Sequence, residues 1–166
     1  MPATRAQLHA RLEELGIPTT TFEHEAVFTV EENRRLRGEM PGGHCKSLFL
    51  KDKKGQLWLV VCLEDRRVDM KWLQRAIGSA RLSFGRPELL REVLGVEPGA
   101  VTPFALINDD EQRVRVVLDA GMLACETLHY HPLENTATTR IAPADLQRFI
   151  AACGHTPQIV AFDAVS

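Results

Sequence analysis

With 166 residues, 45% hydrophobic and 25% charged, the chain has the make-up of one folded domain able to bury a core without covalent staples. No apolar run approaches the ~20 residues of a membrane-spanning helix, and the opening "MPATRAQLHARLEELG" lacks the apolar stretch of a secretion signal, so a cytoplasmic protein is expected. A net charge of −2 excludes a uniformly basic nucleic-acid binder, yet Lys46 to Arg91 holds eleven Lys/Arg against five Asp/Glu, the asymmetry of a one-sided electrostatic footprint.

The predicted elements begin with an amphipathic helix. In "TRAQLHARLEELG", Thr4 and Gln7 stand in capping-box spacing, Leu8, Leu12 and Leu15 share a face, and Gly16 and Pro18 close the run. "TTTFEHEAV" reads as a short strand, and "TVEENRRLRG" as a short helix capped by Thr29 with Glu32 and ended by Gly38. Gly42, Gly43 and His44 read as a loop, after which Lys46 stands at the mouth of an apolar strand. From Lys46 to Leu63 the pattern is a hairpin turning at "KKG", and "LWLVVCL", apolar on both faces, belongs in the middle of a sheet.

Asp69 caps a helix through "MKWLQRAIG", "ARLSF" is a small strand, and "RPELLREVLG" is a helix with Pro87 in its first turn and Gly95 at its end. "TPFALIND" and "VRVVLDAGM" read as two strands on either side of the acidic turn "DDEQ". "TLHYHPLENTATTRIA" is extended but interrupted at Pro132, "APADLQRFIAACG" is a helix with Leu146, Phe149, Ile150 and Cys153 inward, and "PQIVAF" is a last strand. No repeat, low-complexity tract or linker divides the chain. One α+β domain over 1–166 is expected, with a mixed, largely antiparallel sheet flanked by helices.

The usual catalytic signatures are missing: there is no GxSxG elbow, no GxGxxG or GKS/GKT phosphate loop and no HExxH. Cys45, Cys62, Cys125 and Cys153 lack the short spacing of a zinc site; Cys62 reads as a small buried apolar residue, and Cys45 beside Lys46 as a passive thiol rather than a reactive one. His129 and His131 alternate on an extended segment, the geometry of a metal pair, but no third ligand is evident and no metal site is expected. His9 reads as a surface residue of the first helix. Three pieces stand out: Lys46 in "GGHCKSLFLKD", the Gly99-to-Pro103 loop in "EPGAVTPFAL", and "HPLENTATTRI" from His131 to Ile141. Singly, each has an ordinary reading as a solvated strand end, loop punctuation or a turn held by local side-chain hydrogen bonds.

In this order, from about Leu12 to Phe162, with "FEHEAVFTVEE" before the lysine, "KSLFLKDKKGQLWLVV" around it and "GAVTPFAL" and "HPLENTATT" after it, they resemble the YbaK/prolyl-tRNA synthetase-associated editing-domain family. Within it the chain looks most like the free-standing type that clears alanine from mischarged proline tRNA. One departure is Ser47, where an asparagine commonly follows the family's lysine. The resemblance implies a deacylase with Lys46 as the catalytic residue. It implies that Gly99, Ala100, Val101 and Pro103 lie beside the ester, and that Ser47, His131 and Asn135 help to bind substrate. It further implies mischarged tRNA as the partner at its acceptor end, prolyl-tRNA synthetase as a candidate associate, and neither cofactor nor membrane. Removal of cysteine from the same tRNA, and a catalytically silent tRNA or small-ligand binder, are the competing expectations.

Overall fold

The computed structural model describes residues 2–24 and 42–162. Helix α1 (Arg5–Glu14) starts at the expected capping box: the Thr4 hydroxyl accepts from the Gln7 amide while the Gln7 side chain accepts from the Thr4 amide. Leu8 and Leu12 are buried and Leu15 packs at the core's margin, while His9 is half-buried, its Nε2 3.3 Å from the Thr21 hydroxyl, rather than a bare surface residue. Strand β1 (Thr20–Glu23) follows. The helix expected from Thr29 to Gly38 lies outside the described residues.

Strands β2 (Gly43–Asp52) and β3 (Leu57–Leu63) form the hairpin. β2 begins at Gly43, so part of the expected loop is strand and Lys46 is its fourth residue, not its mouth. The reason is a distant partner: Gly43 pairs with Leu128, and a Cβ on it would stand 3.0 Å from the Cys125 sulfur and 3.1 Å from Leu128, so a glycine suits this close approach. Helix α2 (Met70–Ile77) is capped by the Asp69 carboxylate, β4 (Leu82–Phe84) adds to β2, and α3 (Pro87–Leu94) ends at Gly95 in the left-handed conformation.

"TPFALIND" is not a strand. Pro103–Asn108 is a 3-10 segment, begun by the Thr102 hydroxyl accepting from the Phe104 amide and by the fixed φ of Pro103. Pro103, Phe104, Ala105 and Leu106 are all buried, and a run buried on every side carries no period to tell a strand from a turn of helix. β5 (Val114–Asp119) stops sooner than expected, because the Asp119 carboxylate caps a one-turn helix α4 (Ala120–Leu123). β6 (Leu128–Tyr130), β7 (Ala137–Ile141), helix α5 (Pro143–Ala152) and β8 (Gln158–Val160) complete the described chain.

The strands run in the order β1-β7-β6-β2-β3-β5-β8, with β4 beside β2. Pairings within the β1-β7-β6 and β4-β2-β3 groups are antiparallel; β2 with β6, β3 with β5 and β5 with β8 are parallel, which makes the sheet mixed, as expected. One sheet face carries the main core, where Phe49, Leu59, Val61, Val116, Leu118, Tyr130 and Ile141 meet α1, α3, α5 and Phe104. The other carries a smaller core under α2, built from Leu50, Trp58, Val60, Leu73, Ile77, Val117 and Phe162. At ~1.5–3 kcal/mol for each large apolar side chain removed from water, these two clusters clamp the sheet between them.

Candidate active site

β2 has different neighbours at the two ends of its outer edge. β6 pairs with it at Gly43 and His44, and β4 pairs with it at Leu50 to Asp52. Between them, among the described residues, 45–48 have no strand partner on that edge, so the sheet forks where Lys46 and Ser47 stand. On its inner edge Lys46 pairs with Cys62 and Ser47 with Val61.

Side chains alternate along β2. Lys46 shares a face with His44, Leu48 and Leu50, while Ser47 shares the opposite face with Cys45 and Phe49. The structure therefore separates Lys46 from Ser47. The Lys46 ammonium donates to the backbone carbonyl of Arg66, in the turn after β3. Arg66 in turn grips Asp119, Nε to Oδ2 at 2.9 Å and Nη2 to Oδ1 at 3.4 Å, and Asp119 is fully buried.

Register carries the Lys46 face across the fork. His44 pairs with His129, His129 with Arg140, and Thr138 with Phe22, so these side chains line one half of that face. The His44 and His129 rings stack at 4.6 Å and 8°. His129 Nδ1 donates to the Gly43 carbonyl at 3.0 Å, which leaves its Nε2 to accept from Arg140 Nε at 3.3 Å. The Arg140 guanidinium also lies 4.8 Å over the Phe22 ring, and His24 Nε2 is 2.8 Å from the Thr138 hydroxyl.

His131 follows β6, 6.4 Å from His24 between ring centroids, and its Nδ1 donates to the Ala137 carbonyl at 3.0 Å. Burial pushes His131 below the ordinary imidazole value, against the opposing effect of that carbonyl and with the help of the neighbouring His24. Burial likewise pushes His129 down, opposed by the Gly43 carbonyl and aided by His44 and Arg140. Both rings are neutral near pH 7, with tautomers set by backbone acceptors. Among the described residues no group of three or more His, Cys, Asp or Glu is arranged to hold a metal. Burial raises the Cys45 thiol to about 12, consistent with a passive thiol.

The second predicted piece forms a 3-10 turn at Pro98–Ala100 followed by Val101. Gly99 is exposed, and a Cβ built on it would stand 3.2 Å from Asn135 Nδ2, so the loop from Gly99 and the loop after His131 are brought together. Ala100 and Pro103 are buried and Val101 packs on the main core, so they anchor the loop while Gly99 presents its backbone. His44, His129, Arg140 and Arg66 were not singled out from the sequence as parts of this site. The pairing of β2 with β6, two segments some eighty-five positions apart, sets His44 beside His129, and the pairing of β6 with β7 adds Arg140 to the same surface.

Away from the fork, a groove of about 1040 Å³ runs along β4, lined by Lys51, Lys53, Arg81 and Arg86 with Glu88 and Glu92 at one side. Phe84 in it is 65% exposed. These cations belong to the basic stretch seen in the sequence.

A model of the aminoacyl-tRNA editing domain matches residues 24–149. The chain is 42% identical over 161 residues to prolyl-tRNA synthetase associated domain-containing protein 1 of Danio rerio, covering 96% of this chain and 88% of that one. It is 39% identical over 148 residues to the prolyl-tRNA editing protein ProX of Acetoanaerobium sticklandii, covering 89% and 90%. Among solved structures, that of a proposed trans-editing enzyme for prolyl tRNA synthetase superposes with a TM-score of 0.72 at 22% identity, over 97% of this chain and 99% of the other, a likeness of fold.

Proposed function

The chain belongs to the aminoacyl-tRNA editing-domain family, and from that premise we propose that it hydrolyses the ester joining a wrongly attached amino acid to proline tRNA, with alanine the preferred one. The chemical need is plain. A synthetase site shaped for proline cannot exclude a smaller side chain by size, since a missing methylene is worth only ~1–3 kcal/mol. A second site that admits small side chains and destroys the ester corrects the error.

Ester hydrolysis adds water to the carbonyl carbon, breaks the bond to the ribose oxygen and returns a proton to that oxygen. It needs a held carbonyl, a cation or donors where oxygen charge develops, and a fixed adenosine end. The observation that carries the reading is the Lys46 ammonium, held at the fork of the sheet on the face that shows His44, His129 and Arg140. In this reading Lys46 stabilises developing negative charge or clamps the adjacent phosphate. Gly99 offers main chain to the substrate's end beside Asn135, and His131, neutral and fixed, walls the amino-acid pocket. Ser47 stands on the opposite face of β2 from Lys46.

The cations around Phe84 support a polyanionic partner, and exposed aromatic and basic side chains in one groove suit a nucleic acid. Prolyl-tRNA synthetase as an associate and the cytoplasm as the place of action belong to the same proposal. The test is hydrolysis of proline tRNA charged with alanine, cysteine, serine or proline. Fast release of alanine with proline spared is expected. Faster release of cysteine reassigns the substrate, and tight binding of every charged tRNA without release makes the protein a binder.

A further inference from the structure

A lysine side chain has four rotatable bonds and is seldom fixed unless something accepts from its ammonium. Here that acceptor is the Arg66 carbonyl. The carbonyl is itself held. One buried carboxylate, Asp119, grips both ends of the turn that carries it: Oδ2 accepts from the Leu63 amide at 3.1 Å, and the same carboxylate takes the Arg66 guanidinium through Nε and Nη2. The Arg66 amide donates to the Leu63 carbonyl at 3.1 Å, closing the turn.

A second, independent observation concerns residue 121. Gly121, the second residue of α4, has no positive φ that would call for glycine. A Cβ there would lie 2.2 Å from Arg66 Nη2, so any side chain would push the guanidinium out of its seat. The space beside residue 121 is the slot this guanidinium fills.

We infer that Arg66 is a positioning residue for Lys46, seated by Asp119 in the slot that Gly121 leaves open, so that its backbone carbonyl fixes the ammonium at the fork. The inference rests on the catalytic role given to Lys46 above. Arg66 touches no reacting atom; it sets where the charge stands, and misplacement by about an ångström is enough to cost up to ~100-fold in rate.

The experiment pairs kinetics on alanine-charged proline tRNA with NMR of the lysine ammonium groups, the Lys46 signal being identified by its loss in Lys46→Arg. Wild-type protein should show a Lys46 ammonium protected from exchange with water. In Arg66→Ala and in Gly121→Ala that protection should vanish and kcat should fall about tenfold or more with KM within about twofold, while amide spectra elsewhere show an intact fold. Arg66→Lys, which keeps the ion pair without the fork, should recover part of both. Adding Gly121→Ala to Arg66→Ala should cost nothing further, since the slot then has no occupant. An unchanged Lys46 signal in Arg66→Ala, or fully additive losses in the double variant, overturns the inference. Loss of protection in Arg66→Ala together with full activity of Lys46→Ala would support the placement and overturn the catalytic role of Lys46 instead.

Discussion

The face of the sheet that bears Lys46 has two halves. Over β3, β5 and the far end of β2 it is covered by α2, with Leu73 and Ile77 on Leu50, Trp58, Val60 and Val117. Over β6, β7 and the near end of β2 the same face shows His44, His129, Arg140 and Thr138. The change takes place within one strand: His44, Lys46, Leu48 and Leu50 point the same way, and polarity turns to apolarity in six residues. On the proposed function, the covered half provides rigidity and the polar half the chemistry. A half-face given to imidazoles and a guanidinium gains little from burial, so it depends on its neighbour to stay in place.

The largest effect is expected at the covered half. Leu73→Ala removes a fully buried side chain and should cost about 2–5 kcal/mol in urea unfolding while leaving kcat per folded molecule unchanged. Lys46→Ala should do the reverse, lowering deacylation of alanine-charged tRNA about 100-fold or more with less than about 1 kcal/mol of lost stability. Near-normal turnover by folded Lys46→Ala would remove the chemistry from the polar half.

Smaller effects sharpen the contrast. His131→Ala opens the wall of the pocket, and release of side chains larger than alanine should rise several-fold while alanine changes little; an unaltered substrate panel would take His131 out of the wall. Acid should act on the halves in separate windows. His129 is held below its unfolded value by burial, so the unfolded chain takes up the proton first; the stability present above pH ~6.5 is lost as pH falls toward the depressed folded value. Asp52 lies under the covered half. Burial pushes it up, but the Trp58 indole N–H and the amides of Gln56, Lys54 and Ala80 outweigh that and hold it low. Its contribution, present above pH ~3.9, is lost only below that. Unfolding free energies from urea titration at pH 7.5 and 5.5 should differ in wild type by no more than about 1 kcal/mol and differ less in His129→Gln.

Much of the frame was legible because its signals are local. The Thr4 and Gln7 box, Asp69 before α2, and Pro87 with Gly95 around α3 each fix an end within a few residues, and all stand where the sequence puts them. The segment from Pro103 to Asn108 was misread because burial on all sides erases periodicity. Lys46, Gly99 and His131 were reached through the resemblance to a family, and the structure separates Ser47 from Lys46 by the alternation of one strand. Arg66 was invisible for a different reason. In "LEDRRVD" it looks like any charged turn residue, and its value depends on a carboxylate fifty-three positions away.

The fork has a dynamic consequence. Among the described residues β6 meets β2 at only two residue pairs, whereas β3 is paired with β2 along seven and with β5 along five. The β1-β7-β6 leaf is therefore joined to the centre by few ladder hydrogen bonds and is held there chiefly by Leu128, Tyr130 and Ile141 in the main core, so its local opening should cost less than that of β3 and β5. In hydrogen–deuterium exchange, amides of β6 and β7 should label ahead of those of β3 and β5 at neutral pH. On the proposed function, a leaf that opens beside Lys46 would give a bulky nucleic-acid end a way in and out without melting the centre.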